Sequence, residues 1–244
     1  MQSGHAVTAI APVRSSGVGV RNAQGWAIRL ASFRLDPAEL GGVALGVVTS
    51  RCAASAALVG LLSGRTAPAY GSLRVLGYDV GTLAGRAAVR ARVGVAAKGT
   101  LPWPGIKIRG LVDRAAKLSG QPASARHLLV AAIIDRLALT PWADVPLRAV
   151  PELVAAKTRL AAACVHQPEL LIVDGLLDHL SLLDRTVLID VLRALTHDTP
   201  VVVLGRDADV LLLLCDQLAV LARGILIGSC LAPVRSPAAA ASAW

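Results

Sequence analysis

The stretch PELLIVDGLLDHLSLLDR, residues 168–185, decides how this chain is to be read. Leu170, Leu171, Ile172 and Val173 run without a polar interruption, Asp174 follows, and Gly175 breaks the run. An unbroken apolar run of this length is a strand buried on both faces, as in parallel sheets. A carboxylate then stands at the strand's carboxyl end, the edge at which open α/β sheets bind ligands. Asp174 is therefore a candidate metal or phosphate partner. An aspartate ahead of a new apolar run is also a helix N-cap, a role open to Asp174 and to Asp178. These residues alone leave both readings standing.

The 244 residues are 55% hydrophobic and 17% charged, enough to bury one large core or a core with a subdomain. Aromatics supply only 3%, so the core has to be built from small and branched side chains packed between layers, which suits an α/β architecture. The formal charge of +9 raises an acidic partner, nucleic acid or the anionic face of a membrane. The 25 Lys and Arg stand singly instead of in the runs that mark a basic arm, and read as a solvated surface. Without a zinc knuckle, an aromatic RNA motif or a clustered basic helix, no nucleic acid partner is expected. Cys52, Cys164, Cys215 and Cys230 are far apart, have no CxxC spacing and lie among apolar neighbours, so they read as buried, reduced thiols of a cytoplasmic protein. No basic segment leads into an apolar one at the start, so no signal peptide is expected. The longest apolar runs are broken by charge before the ~18 residues that a membrane span needs.

Residues 1–24 are rich in Gly, Ser, Ala and Pro without sustained periodicity and read as a loose extension. Alternation over residues 26–35 predicts a half-buried strand, the DPAELGG segment a turn, and residues 43–48 a buried strand. Thr49, Ser50 and Arg51 then lead into a small-residue helix that stops at Gly64. Strand, short polar loop and helix together are the layout of a phosphate-binding unit. Residues 70–80 predict a strand with a turn, and 92–96 a short strand. Apolar spacings of three and four predict helices over 106–118, 124–139 and 151–165. Strands are expected again at 170–173, 200–204, 217–221 and 225–227, with helices over 180–195 and 208–214 between the first three. That alternation implies a parallel sheet. The last residues read as a frayed tail.

The order of these pieces, with three local strings, resembles the nucleotide-binding subunit of ATP-binding cassette (ABC) transporters over residues 26–228. The strings are VALGVVTSRCAASAALVGLLSGRTAPAYGSLRVLGYDV, RLAAACVHQPELLIVD and LCDQLAVLARGILIGS. The resemblance implies an α/β P-loop NTPase (RecA-like) fold: a parallel sheet core, an inserted helical subdomain and an N-terminal antiparallel β part. The expected layout is an extension over 1–24, a domain over 25–230 and a tail over 231–244. Within the domain the core takes 25–98 and 167–230, and the helical subdomain 99–166.

A phosphate loop of the form G-x-x-x-x-G-K-S/T works through backbone N–H groups around the phosphates, a lysine on the terminal ones and a hydroxyl on magnesium. Counted back from Gly64, the resemblance sets its glycines on Thr49 and Ala54, its lysine on Ser55 and its hydroxyl on Ala56. Ser50, Arg51, Cys52 and Ala53 fill the rest of this degenerate loop, so that only Thr49, Ser50 and the helix N-terminus could still attract an anion. The metal-linked glutamine falls at Lys98, and the LSGGQ signature at VPELV, residues 150–154, where Pro151 starts a helix. Asp174 matches the aspartate that holds magnesium through water. The water-polarising glutamate is replaced by Gly175, the dimer-contacting aspartate by Ser181, and the switch histidine by Arg206, with Asp207 beside it. Asp174 and Asp178 lack a third oxygen donor for a metal. His166 and His179 are isolated and read as surface or satisfied histidines.

The resemblance thus implies a pseudo-ATPase with no catalytic residue in place, docking an integral membrane transporter subunit at the inner face of the cell membrane. It would act as a homodimer or with an active ABC subunit, its transporter contact near residues 98–109. ATP and Mg²⁺ remain as a second expectation, bound by Asp174 and the loop from Thr49 to Ser55 with Trp26 against the base, without efficient hydrolysis. Loss of several charge-assisted contacts, each worth ~1.5–3 kcal/mol, argues against tight binding. A basic nucleic-acid-binding protein is a third, suggested by charge alone.

Overall fold

The computed structural model describes residues 13–22, 25–31, 34–35, 44–50, 52–99, 105–215 and 217–231. Among them, two sheets hold an apolar helix between them. The larger sheet has the order β11-β10-β4-β9-β8-β7. Its strands are β4 (Ala44–Thr49), β7 (Val93–Ala97), β8 (Leu170–Asp174), β9 (Val201–Gly205), β10 (Gln217–Ala222) and β11 (Ile225–Leu231). All neighbours pair in parallel except the β10–β11 hairpin.

The strands of the parallel part are buried on both faces, so their residues split by parity between two cores. Leu171, Val173, Val201 and Val203 face one core, whereas Leu45, Val47, Leu170, Ile172, Val202 and Leu204 face the other. On the first side lie α3 (Ile108–Leu118), α4 (Ala123–Arg136), α5 (Glu152–Cys164), α6 (Leu182–Thr196) and α7 (Ala208–Leu214). The three helices expected between β7 and β8 are therefore present as α3, α4 and α5.

The second side belongs to α1 (Cys52–Leu62), whose sequence CAASAALVGLL contains no charge. Such a helix offers no charged face, and its Leu58, Val59, Leu61 and Leu62 are buried, while Ala53 and Ala56 at its start are exposed. The second cover is the smaller sheet, with β1 (Val13–Asn22), β2 (Gly25–Ala31), β3 (Arg34–Leu35), β5 (Tyr70–Val75) and β6 (Tyr78–Asp79). Val13, Val18, Val20, Ile28, Leu73 and Val75 join Leu58, Leu61 and Leu62 in one core.

Residues 13–22 thus overturn the expectation of a loose extension. Alternation is hidden there by a bulge: Gly17 takes φ 56°, and the β1–β5 register shifts between Ser16 and Gly19. The buried positions change from Val13, in odd register, to Val18 and Val20, in even register. A bulge of this kind inserts one unpaired residue and defeats any reading by period two. Helix α2 (Leu83–Arg92) was also unexpected, because only Gly85 and Val89 in it are buried. The DPAELGG turn and residues 232–244 lie outside the described residues.

Helix α5 packs against β7 through small residues. Val154, Ala155, Ala156, Thr158, Leu160, Ala161 and Ala163 are buried, and the Thr158 hydroxyl returns to the Val154 carbonyl at 2.7 Å. At Gly94, an added Cβ would lie 2.3 Å from the Ala163 carbonyl oxygen. Gly94→Ala is therefore expected to push α5 off the sheet and to lower stability by ~1–3 kcal/mol, as overpacking does. Urea unfolding followed by circular dichroism measures it.

Candidate functional site

Parallel pairing places the ends of β4, β9 and β8 side by side, with the residue after β7 completing the row. Ala97 pairs with Asp174, Asp174 with Leu204, and Val48 with Gly205. Beyond them opens a cleft of about 340 Å³ lined by Thr49, Ser55, Ala56, Lys98, Asp174, Gly175, Asp178, His179, Gly205 and Arg206. A crevice at the carboxyl ends of parallel strands is the ligand position of open α/β sheets. The sequence-derived residues Thr49, Ser55, Ala56, Lys98, Asp174, Gly175 and Arg206 are therefore brought together.

Asp174 is the last residue of β8 and not an N-cap, and Asp178 caps no helix either. The caps are Ser181 on α6, whose hydroxyl accepts from the Asp184 N–H, and Asp207 on α7, whose carboxylate accepts from the Asp209 and Val210 N–H groups. Buried Ser55, on the first turn of α1, donates its hydroxyl to Asp174 Oδ1 at 2.5 Å. The Lys98 N–H donates to the Asp174 carbonyl at 2.8 Å, closing the end of β7 onto β8.

The second carboxylate is the residue that sequence reasoning set aside. Asp178 Oδ1 accepts the Arg206 N–H at 3.1 Å, and its Oδ2 lies 3.9 Å from the Arg206 guanidinium. The Asp178 side chain is only 12% exposed. It ties the turn after β8 to the end of β9, directly beside Gly205, where a Cβ would stand 3.3 Å from Asp178 Oδ1. The only sequence signal was its place four residues after Asp174, in a turn too short to carry it away from that strand end.

Of the remaining candidates, exposed Ser50 and Ala53 and buried Ala54 are not among the lining residues. Arg51 lies outside the described residues, as do the side chains of Cys52 and Trp26. The VPELV segment also stands away from the lining: Pro151 precedes Glu152 at the start of α5. His166 lies elsewhere, half-buried; burial lowers its pKa, partly opposed by a hydrogen bond with the Val93 backbone. Cys164 and Cys215 are in no disulfide, and burial pushes the Cys164 thiol up to about 12.

Burial raises the Asp174 carboxyl above the ordinary aspartate range; the Ser55 hydroxyl draws it back, and the Asp178 charge adds to the rise. An acid whose folded pKa lies above its unfolded value stabilises the fold fully only below the unfolded value, near about 4, and stability falls as pH rises through the folded pKa. Asp174→Asn removes this titration. Its unfolding midpoint is expected to exceed the parent's at neutral pH and to vary less from mildly acidic pH upward. Ser55→Ala removes the donor and is expected to cost ~1–2 kcal/mol at neutral pH. Thermal unfolding across the pH range checks both.

This architecture is the P-loop NTPase fold of ABC ATPase domains. Over 89% of this chain and 87% of theirs, it superposes on cbiO1 from Clostridium perfringens, part of the ABC transporter complex cbiONQ, with a TM-score of 0.77 and 15% identity. A nucleotide-free ATP-binding cassette from an ABC transporter gives a TM-score of 0.73 at 12% identity, over 91% of each chain. In sequence the chain is similar to ABC ATP-binding subunits. It is 28% identical over 211 residues to the methionine import ATP-binding protein MetN 2 of Burkholderia mallei (strain ATCC 23344), covering 84% of this chain and 52% of that one. It is 26% identical over 190 residues to the methionine import ATP-binding protein MetN of Caulobacter vibrioides (strain ATCC 19089 / CIP 103742 / CB 15), covering 76% and 57%. The chain spans about half the length of these relatives. No family model matches it. Among the described residues, no helix is long and apolar enough to cross a membrane.

Proposed function

We propose that the chain is an ABC-type subunit that has lost ATP hydrolysis and is kept as a scaffold, docking an integral membrane transporter subunit at the inner face of the membrane. It pairs there with itself or with an active ABC subunit. The observation that carries this reading is the Ser55–Asp174 hydrogen bond. The carboxylate at the magnesium-aspartate position is engaged by a hydroxyl of the protein, from the residue that the resemblance sets at the phosphate lysine.

Three neighbouring features support it. Helix α1 begins at Cys52, so only residues 50 and 51 stand between it and the end of β4, a connection shorter than the four residues that a G-x-x-x-x-G loop sets between its glycines. Gly175, at the position of the water-polarising glutamate, has φ 66°, which side-chain-bearing residues adopt only with strain. Asp178, the other carboxylate, is tied to Arg206. These engagements support reading Asp174 and Asp178 as carboxylates of the scaffold, and the position from which the resemblance would have a glutamate polarise water is held by Gly175.

Mg-ATP is expected to show no turnover above background and no binding heat at millimolar concentration in titration calorimetry; turnover above background overturns the proposal. Gly175→Glu alone is expected to restore no hydrolysis and to cost ~1–3 kcal/mol of stability, because the glutamate inherits a left-handed backbone. Capture from detergent-solubilised membranes is expected to recover an integral membrane transport subunit, and its absence in repeated captures counts against the docking role.

A further inference from the structure

The arginines that stand singly in the sequence do not stand singly in the smaller sheet. β1 pairs antiparallel with both β3 and β5, and the register partner of Arg14 is Arg34 on one side and Arg74 on the other. Three strands thus bring three arginines into one cross-strand row. Like charges directly opposite in antiparallel strands destabilise a sheet. Arg14 and Arg74 are exposed, while Val13, Leu73 and Val75 between them are buried, so both guanidinium groups leave the sheet on its outer side.

Neither Arg14 nor Arg74 forms an ion pair among the described residues. The row ends at Asp79, the register partner of Arg74, whose Oδ1 accepts the Gly81 N–H at 2.8 Å. Ser16 and Ser72 pair two residues along and are exposed on the same side. Strands β1, β2, β3 and β5 carry five arginines and no acid.

We propose that this row is a recognition site for a compact polyphosphate anion. Guanidinium forks match phosphate oxygens two at a time, and serine hydroxyls add neutral donors beside them. Neighbouring strands are about 4.8 Å apart, so the backbone positions of the three arginines span roughly 10 Å, the scale of a short chain of linked phosphates, with the exposed Arg14 and Arg74 as its donors. The repulsion stored in the row is relieved when such an anion lies along it. A membrane surface fits less well, because it draws its attraction from basic residues spread over a broad face, whereas this charge forms one line closed by an acid. The row lies on the outer side of the smaller sheet, whose other side covers α1, and is separate from the cleft at the strand ends.

The test is thermal unfolding of the full chain at low ionic strength, with tripolyphosphate against sodium chloride of matched ionic strength. Tripolyphosphate is expected to raise the Tm of the parent more than chloride does. In Arg14→Ser/Arg74→Ser, affinity is expected to fall roughly tenfold or more, as loss of charge-assisted contacts requires. Without ligand, the same variant should melt higher than the parent at low salt, because the like-charge pair is gone. The single variants Arg14→Ser and Arg74→Ser give the same readout with less change to the sheet. The proposal is overturned if the parent shows no specific shift, or if the double variant keeps it, which places binding elsewhere. It is also overturned if vesicles containing phosphatidylglycerol retain the protein and tripolyphosphate does not compete.

Discussion

Helix α1 imposes the constraint on which the rest of the structure depends. It carries no charge over eleven residues, and exposing its Leu58, Val59, Leu61 and Leu62 to water would be costly. The parallel sheet covers one side, with Leu45, Val47, Ile172 and Leu204, and the smaller sheet covers the other, with Val18, Ile28 and Leu73. Both sheets are therefore locked to the same helix. Its first turn in turn places Ser55 against the tip of β8.

The cleft follows from that placement. Two carboxylates stand at the strand ends, and each is engaged within the protein, Asp174 by Ser55 and Asp178 by Arg206. A buried carboxylate without donors is costly, and hydrogen bonds from neighbours offset the cost. In the function proposed above, position and chemistry separate: the acid that the resemblance sets at the magnesium position is bound into the scaffold by its neighbours. Next to it, Gly175 turns the chain through a left-handed backbone.

Much of the parallel sheet was legible because its strands are short apolar runs bounded by polar or turn residues, as at 170–174 and 201–205. Helices α3 to α5 were legible because their buried positions recur at three and four. β1 was not, since the bulge at Gly17 breaks its alternation, and α2 was not, since it buries little beyond Val89. At the site, Asp174 was visible as an acid ending an apolar run. The role of Asp178 was hidden, because its partner Arg206 is 28 residues away and joins it only when β9 pairs with β8.

The sequence by itself determined the alternation of strands and helices, the buried character of α1 and the type of residue at each strand end. Those properties depend on local periodicity and side-chain chemistry. Tertiary structure alone decided that Ser55 meets Asp174 across 119 residues, and that Arg14, Arg34 and Arg74 share one register row across three strands. Such contacts depend on strand register, and a slip of one residue would turn every side chain of a strand to its other face.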